Sequence, residues 1–317
     1  MHGRLDASPT VRETLPPVLD VLLEVIAPVL LVATVGGVVG RWLGLSVDTL
    51  SNVVFYLFSP ALVFTAIAYA QVAADDVGRI LVVALGVFLV NVACASAWGW
   101  SRGTDPETRA VAVISSAAPN QGNMGLPMAQ LAFGARGLQV AVVIWVIGTV
   151  VWSSLGIAAG MVAKGGHTRL SALATPFRFP TIYAALLGLV VNVGEISLPV
   201  AIGDSVDTLA DAAIPCMLVV LGLSFRLPEA HHLAEPVAAS VNRLVIGPLA
   251  AWPLTALVGL EGVTASTAIL LAGMPAAVMT TILALQLGLR TELAVRVVIV
   301  STALSILSLT VLITLLR

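Results

Sequence analysis

The chain has 317 residues, of which 59% are hydrophobic and only 10% are charged, and its mean hydropathy is +1.04. Soluble domains carry about 25% charged residues, so this composition excludes a soluble protein and indicates several membrane crossings. The net charge of -2 is spread over short connections, which excludes a nucleic-acid partner and a polybasic membrane anchor. The two cysteines form no disulfide framework or metal-ligand spacing, so we expect no metal and no cofactor.

The polar stretch 1–17 is followed by ten apolar segments. A membrane-spanning helix needs about 20 apolar residues, and the first segment is too long for a signal peptide. We therefore predict ten spanning helices. They cover approximately 18–40, 50–70, 78–99, 108–133, 138–163, 177–194, 205–225, 236–259, 264–288 and 293–316.

The basic residues in the connections predict the orientation. Of the 15 Lys and Arg residues, five fall on one side of the predicted helices (Arg4, Arg12, Arg79, Arg136 and Arg317) and the other ten on the opposite side. The side richer in Lys and Arg faces the cytoplasm, so both termini are predicted to be extracytoplasmic. Arginine far outnumbers lysine, which is typical of GC-rich bacterial genomes, and we expect a bacterial inner membrane.

Two correspondences indicate an internal repeat. The pentapeptide SVDTL occurs at 46–50 and at 205–209. APNQGNMGLPMAQL (118–131) aligns with MPAAVMTTILALQL (274–287), which matches Pro119 with Pro275. The chain then divides into a first five-helix repeat (18–163), a cytoplasmic linker (164–176) and a second repeat (177–317). Because five is odd, the second repeat must be inverted, as in many secondary transporters.

The glycines of GGVVG, residues 36–40, lie near the end of the first segment. Small residues at this spacing let two helices approach closely. We predict that they pack against another helix of the chain, with a dimer contact as the alternative.

The stretch PNQGNMGLP, residues 119–127, is predicted to break the fourth helix at Pro119, Gly122 and Pro127. Pro275 is predicted to break the ninth helix at the equivalent place. Lipid cannot bond the freed backbone groups, and we expect the amides of Asn120, Gln121 and Asn123 to do so. A simple kink without a ligand is the alternative, but paired breaks indicate a transport site.

The residues around the two breaks favour an anion as the ligand. Each half-helix that starts after a break presents unpaired N–H groups with partial positive charge. No Asp or Glu lies between Ala110 and Gly134 or between Ala265 and Arg290. A small organic anion is therefore predicted in preference to a cation. The polar groups present are all neutral: Asn120, Gln121, Asn123, Gln130, Thr280, Thr281 and Gln286.

Several stretches resemble the auxin efflux carrier family in its short bacterial form: SNVVFYLFSPALVF (51–64), PNQGNMGLP (119–127), PTIYAALLG (180–188) and most of 273–312. The resemblance implies the sodium/proton-antiporter-like fold, an all-α polytopic membrane protein whose helices 4 and 9 cross at their breaks. It implies a scaffold of helices 1, 2, 6 and 7, a mobile part of helices 3–5 and 8–10, and a homodimer with elevator-type alternating access. Family members carry organic anions, among them indole acetic acid in plants and malate or malonate in bacteria.

The family's site residues transfer to three positions. Asn120 matches the family's carboxylate-binding asparagine, and Val54, six residues before Pro60, matches a valine that lines the site. Thr181 stands where plant members carry a second asparagine, so auxin itself is not implied as the substrate.

Ionisable residues within the predicted helices were considered as functional groups. Glu24 and Asp211 are both predicted to be interfacial groups wetted from outside, and Asp211 is the predicted proton site if transport is proton-coupled. Arg243 and Arg296 are predicted to extend to the cytoplasmic interface.

Two other functions remain open alternatives. A sodium- or proton-coupled symporter of the bile-acid type would share the architecture, and a receptor or scaffold would bind without transport. A membrane enzyme is not predicted, because His2, His167, His231 and His232 fall in tails and loops and form no catalytic constellation.

Overall fold

A computed structural model describes residues 16–70, 72, 74–165, 170–225 and 233–317 of the protein. These residues form α-helices, with one isolated β-bridge. The four histidines lie outside the described residues. The helices are α1 (Pro17–Trp42), α2 (Val47–Ala68), α3 (Ala74–Ser101), α4 (Pro106–Ala117), α5 (Gln121–Ala163), α6 (Pro180–Val193), α7 (Val200–Ser224), α8 (Ala234–Leu257), α9 (Gly262–Ala272), α10 (Met279–Gln286) and α11 (Thr291–Leu316), and Leu170–Arg178 forms a 3₁₀ helix.

Within the described ranges, seven helices are long and apolar enough to cross a membrane: α1, α2, α3, α5, α7, α8 and α11. The helices α6 and α9 are apolar but shorter. The prediction of an all-helical chain with several membrane crossings is therefore confirmed.

The 43-residue helix α5 folds back on itself at Gly134. Gly134 has φ 68° and ψ -160°, a conformation that glycine adopts readily and other residues rarely do. On the two sides of this turn, Gly122 faces the Trp145 ring and Gln121 contacts Gly148. The two arms are thus antiparallel, and a single glycine makes the reversal where we predicted a connection between two helices.

The helices α1, α2, α6 and α7 pack against one another, with α1 on α7, α7 on α2 and α2 on α6. In the first contact, Gly36 and Gly37 face Val219 and Gly222 of α7. A Cβ atom on Gly222 would overlap the carbonyl of Ala33. The prediction that GGVVG packs against another helix of the chain is confirmed.

The remaining helices surround the interruption between α4 and α5. The helix α3 packs on α4 and α8, α8 on α9 and α11, and α10 on α11, while the second arm of α5 returns beside α4. The first turn of α5 contacts α7 and thereby joins the two groups of helices.

The N-terminus of α4 is fixed by Asp105. Its carboxylate accepts hydrogen bonds from the backbone N–H groups of Glu107 and Thr108, both at 3.1 Å, and from the Thr108 hydroxyl at 2.7 Å. It also forms an ion pair of 3.2 Å with Arg290, in the connection between α10 and α11. Burial alone would raise the pKa of Asp105, but these hydrogen bonds and the Arg290 charge outweigh burial and lower it.

Gly222→Ala is expected to lower the free energy of unfolding by about 1–3 kcal/mol, because the added methyl forces α1 and α7 apart. Gly203→Ala, on the same helix with no atom within 4 Å of the added Cβ, is the matched control. The melting temperatures of both variants and the wild type are measured by thermal unfolding in detergent. Equal melting temperatures for the two variants would contradict the close packing.

Asp105→Ala is expected to cost about 1 kcal/mol through loss of the N-cap. Asp105→Asn keeps a capping oxygen and loses mainly an exposed ion pair, so its cost should be smaller. The lowered pKa makes the Asp105 contribution complete above the unfolded pKa, near pH 4, and removes it as pH falls through the folded pKa. Unfolding followed against pH should therefore show the wild type approaching Asp105→Ala in acid, and a constant difference would contradict this.

Candidate functional site

Two interrupted helices meet at one point of the structure. The first interruption, 118–120, separates α4 from α5, and the second, 273–278, separates α9 from α10. They run antiparallel as a β-bridge: the N–H of Asn120 donates to the carbonyl of Pro275 at 2.7 Å, and the N–H of Ala277 donates to the carbonyl of Ala118 at 2.9 Å. We call this pair of segments the crossing.

The prolines explain why the helices stop here. Pro119 and Pro275 have no N–H with which to continue the hydrogen bonds of a helix. The bridge instead uses the N–H groups of Asn120 and Ala277. A further N–H in the second segment, that of Ala276, donates to the Ser301 hydroxyl of α11 at 3.1 Å. Our expectation that Asn120, Gln121 and Asn123 would bond the freed backbone groups is wrong, because the opposite interruption, Ser301 and one arginine supply those partners.

That arginine is Arg243 of α8, which is only 3% exposed. Its Nη1 donates to the carbonyl of Ser116 at 2.9 Å, Nη2 to that of Ala272 at 2.8 Å and Nε to that of Met274 at 3.0 Å. The carbonyls of Ser116 and Ala272 lie at the C-terminal ends of α4 and α9, where a helix provides no partner for them, and the carbonyl of Met274 lies just beyond α9. The prediction that Arg243 extends to the interface is wrong; it caps both broken helices inside the protein.

A small polar cluster surrounds this contact. The Asn242 amide donates to the Ser116 hydroxyl at 2.8 Å and to the carbonyl of Asn91 at 3.2 Å. Asn91 of α3 is fully buried and donates to the carbonyl of Val87 at 2.9 Å. Four residues of this region were not predicted from the sequence: Asn91, Ser116, Asn242 and Ser301. A polar pair within an apolar segment, Asn242 and Arg243, was the available signal.

A cavity of about 50 Å³ lies beside the crossing, between α3, α5, α8 and α9. Pro119, Gln121, Gly148 and Arg243 contribute to its wall, and the other lining residues are apolar. The Gln121 Oε1 atom is buried and has no hydrogen-bond partner in the described part of the chain. The space is sufficient for a few water molecules, and it is far smaller than the pocket of a drug-sized ligand.

Four of the predicted ligand residues lie at the starts of the half-helices. Asn120 is 5% exposed, and its side chain makes no hydrogen bond within the described residues. Asn123, in the first turn of α5, is half-buried. Thr280 is fully buried with an unpaired hydroxyl in the first turn of α10, and Thr281 beside it is half-buried. The fold thus brings residues about 160 positions apart to one crossing.

The predicted residues Gly122 and Pro127 lie within α5 rather than in the interruption. Gly122 packs beneath Trp145, and Pro127 is buried. The chain is therefore interrupted before Gly122. Pro127 does not interrupt it and follows a π-helical first turn, Gln121–Gly125.

Val54 and Thr181 are buried on α2 and α6. Their neighbours form an aromatic cluster in which Phe179 contacts Phe55 at 5.6 Å and Trp152 of α5 at 5.7 Å between ring centroids. This cluster links α2 and α6 to the second arm of α5, and a role of Val54 and Thr181 in ligand binding stays a prediction.

The remaining charged candidates, Asp211 and Glu24, are exposed. Asp211 lies on α7. Glu24 forms an ion pair of 3.3 Å with Arg317, as an interfacial group can. Among the described residues no group of three His, Cys, Asp or Glu side chains is arranged to hold a metal ion.

Comparison with known proteins gives a family and several relatives. Residues 21–313 match the family described as "Membrane transport protein". An "Uncharacterized transporter" of Methanothermobacter thermautotrophicus is 30% identical over 295 residues, covering 92% of this chain and 95% of the relative. A second of that description, from Methanocaldococcus jannaschii, is 25% identical over 81% of this chain and 86% of its own length. A "Putative malonate transporter" of Rhizobium meliloti is 25% identical over 86% of this chain and 88% of its own length.

These proteins are transporters rather than enzymes, and the match covers nearly all of the helices described above. The auxin efflux carrier resemblance is confirmed by the same match. The chain is a multi-pass membrane protein that belongs to the membrane transport protein family, the family of the auxin efflux carriers.

Proposed function

We propose that this protein is a secondary transporter of a small organic anion and that the carboxylate binds at the crossing. The observation that carries the proposal is the meeting of two half-helix starts, those of α5 and α10, at the backbone bridge between Asn120 and Pro275. No carboxylate of the chain lies in either interrupted region, so nothing in these regions competes with a bound anion.

The groups at the start of α5 suit a carboxylate. The N–H groups of Gly122, Asn123 and Met124 lie in the first turn, where a helix provides no carbonyl partner, and they carry the positive end of the helix dipole. The Asn120 amide is available as a further donor, since it makes no hydrogen bond within the described residues. An anion held by backbone N–H groups and a neutral amide needs no basic side chain in the site.

Malonate is the first substrate to test, because the relative from Rhizobium meliloti is described as a "Putative malonate transporter". Malate and indole acetate are the next, as a second dicarboxylate and an aromatic monocarboxylate. Thr181 in place of an asparagine favours the smaller acids over indole acetate.

We further propose ten membrane-spanning segments arranged as two inverted five-helix repeats in a bacterial inner membrane, with both termini on the extracytoplasmic side. Three features support this count. The turn at Gly134 divides α5 into two arms. The helices α9 and α10 together form one interrupted membrane-spanning segment, and α4 with the first arm of α5 forms another. In two such repeats, α1 corresponds to α6 and α2 corresponds to α7. The contact of α1 with α7 therefore corresponds to the contact of α6 with α2, and both contacts are present.

Transport would proceed by an elevator movement. The group α1, α2, α6 and α7 would form the scaffold, and the helices around the crossing would carry the anion. The close glycine contact between α1 and α7 supports a rigid scaffold. A homodimer built on this scaffold stays a prediction.

If transport is proton-coupled, Asp211 is the residue we propose as the proton site. It shares one exposed face of α7 with Asp207, four residues earlier, which accepts a hydrogen bond from Thr65 of α2 at 3.2 Å. In Asp211→Asn, an unchanged dependence of transport on a pH gradient would exclude this role.

The function is tested with purified protein in liposomes on a solid-supported membrane. Malonate, malate and indole acetate are applied in sodium-free buffer at two pH values, and charge movement is recorded. Saturable currents for one acid support the anion carrier. Currents that require sodium would favour the bile-acid-type symporter, and binding without charge movement or labelled-substrate exchange would favour a receptor.

Asn120→Ala is expected to lower substrate affinity about tenfold or more, because a hydrogen bond to a charged group contributes about 1.5–3 kcal/mol. The variant should still fold, since Pro119 and the backbone bridge are unchanged. Gln130→Ala, at an exposed position on the same helix, is the control. Wild-type currents in a well-folded Asn120→Ala would remove Asn120 from the site.

A further inference from the structure

Arg243 places a positive charge at the C-terminal side of the crossing. The carbonyls of Ser116 and Ala272 belong to the last turns of α4 and α9, and the carbonyl of Met274 belongs to the segment just beyond α9. The C-terminal end of a helix carries partial negative charge. Two such ends converge on one guanidinium that is 3% exposed.

In transporters with interrupted helices, carbonyls of unwound segments and half-helix C-termini coordinate the coupling cation, while half-helix N-termini bind anionic substrate groups. Arg243 uses carbonyls of this same class. The guanidinium stays protonated under all conditions relevant to proteins, so its charge cannot be lost or exchanged.

We propose that Arg243 is a built-in cation that takes the place of an exchangeable coupling cation at the crossing, which makes the carrier independent of sodium. The charge compensation follows from the contacts themselves. The statement about transport rests on the proposed function, and the test therefore includes a readout that needs no substrate.

An arginine at this position is explained better by a charge-compensating role than by packing alone. A buried charge is unfavourable unless its hydrogen bonds are satisfied, and all three donor nitrogens of Arg243 have a carbonyl acceptor between 2.8 and 3.0 Å. The planar guanidinium directs donors along several fixed directions, whereas lysine offers one compact ammonium group. Lysine should therefore supply the charge and hold the three carbonyls less well.

The proposal is tested with Arg243→Gln, which removes the charge, and Arg243→Lys, which keeps it. Ser240→Ala is the matched control: Ser240 is equally buried on α8, but its hydroxyl bonds only the carbonyl of Pro236 in its own helix, at 2.6 Å. Melting temperatures of the purified proteins are measured in sodium, lithium, guanidinium and N-methyl-D-glucamine chlorides at equal, low ionic strength.

In N-methyl-D-glucamine chloride the expected order of melting temperatures is wild type, then Arg243→Lys, then Arg243→Gln. Sodium, lithium or guanidinium should raise the melting temperature of Arg243→Gln by about 3 °C or more, as expected when a cation at about ten times its dissociation constant fills the vacated place. The other three proteins should show no such gain. With malonate as the probe in liposomes, currents of Arg243→Gln should become sodium-dependent and those of the wild type should not.

An Arg243→Gln protein whose melting temperature responds to none of the three cations overturns the proposal, and so does a wild type that gains as much as the variant. If Arg243→Gln does not fold, Arg243→Lys decides: a folded, cation-insensitive protein supports the built-in charge, and a second unfolded protein contradicts it. Absence of malonate current in every protein, together with the expected melting temperatures, would refute the proposed substrate while leaving the role of Arg243 supported.

Discussion

The structure depends on one constraint: two helices are interrupted inside a membrane protein, and lipid cannot bond the backbone groups that the interruptions release. The two interruptions meet this requirement together. They pair with each other through Asn120 and Ala277, while Ser301 accepts from the N–H of Ala276 and Arg243 donates to the carbonyls at the ends of the two broken helices. These contacts hold α8 and α11 against the crossing.

The partners at the crossing also separate its charges. The C-terminal ends of α4 and α9 face a guanidinium, whereas the starts of α5 and α10 have no charged side chain nearby in the sequence. One side therefore has its compensating cation within the protein, and in the proposed function the other side binds the anion. In the proposed transport a bound monocarboxylate would offset the Arg243 charge, whereas a doubly ionised dicarboxylate such as malonate would leave one net negative charge. Moving one uncompensated charge across 100 mV changes the free energy by about 2.3 kcal/mol.

Two kinds of packing serve different needs in the same chain. Glycines bring α1 and α7 into backbone contact, which suits a part of the protein that stays fixed. Around the crossing, by contrast, α4, α9 and α10 are short and are connected by backbone bonds and buried polar side chains. A site formed from ends of short helices keeps backbone donors available for a ligand, which continuous helices cannot do.

The sequence by itself determined the membrane class, most helix positions, the interruptions near Pro119 and Pro275 and the packing of GGVVG, because hydropathy, proline chemistry and residue size are local properties. It did not determine which groups would bond the broken ends. Arg243 contacts Ser116 across 127 positions, and only the tertiary structure could distinguish this contact from an interfacial arginine. The sequence predicted two helices joined near 134–137, but only the tertiary structure showed that Gly134 alone makes the reversal and sets Gly122 of one arm against Trp145 of the other, because a contact between the two arms is not a local property of the chain.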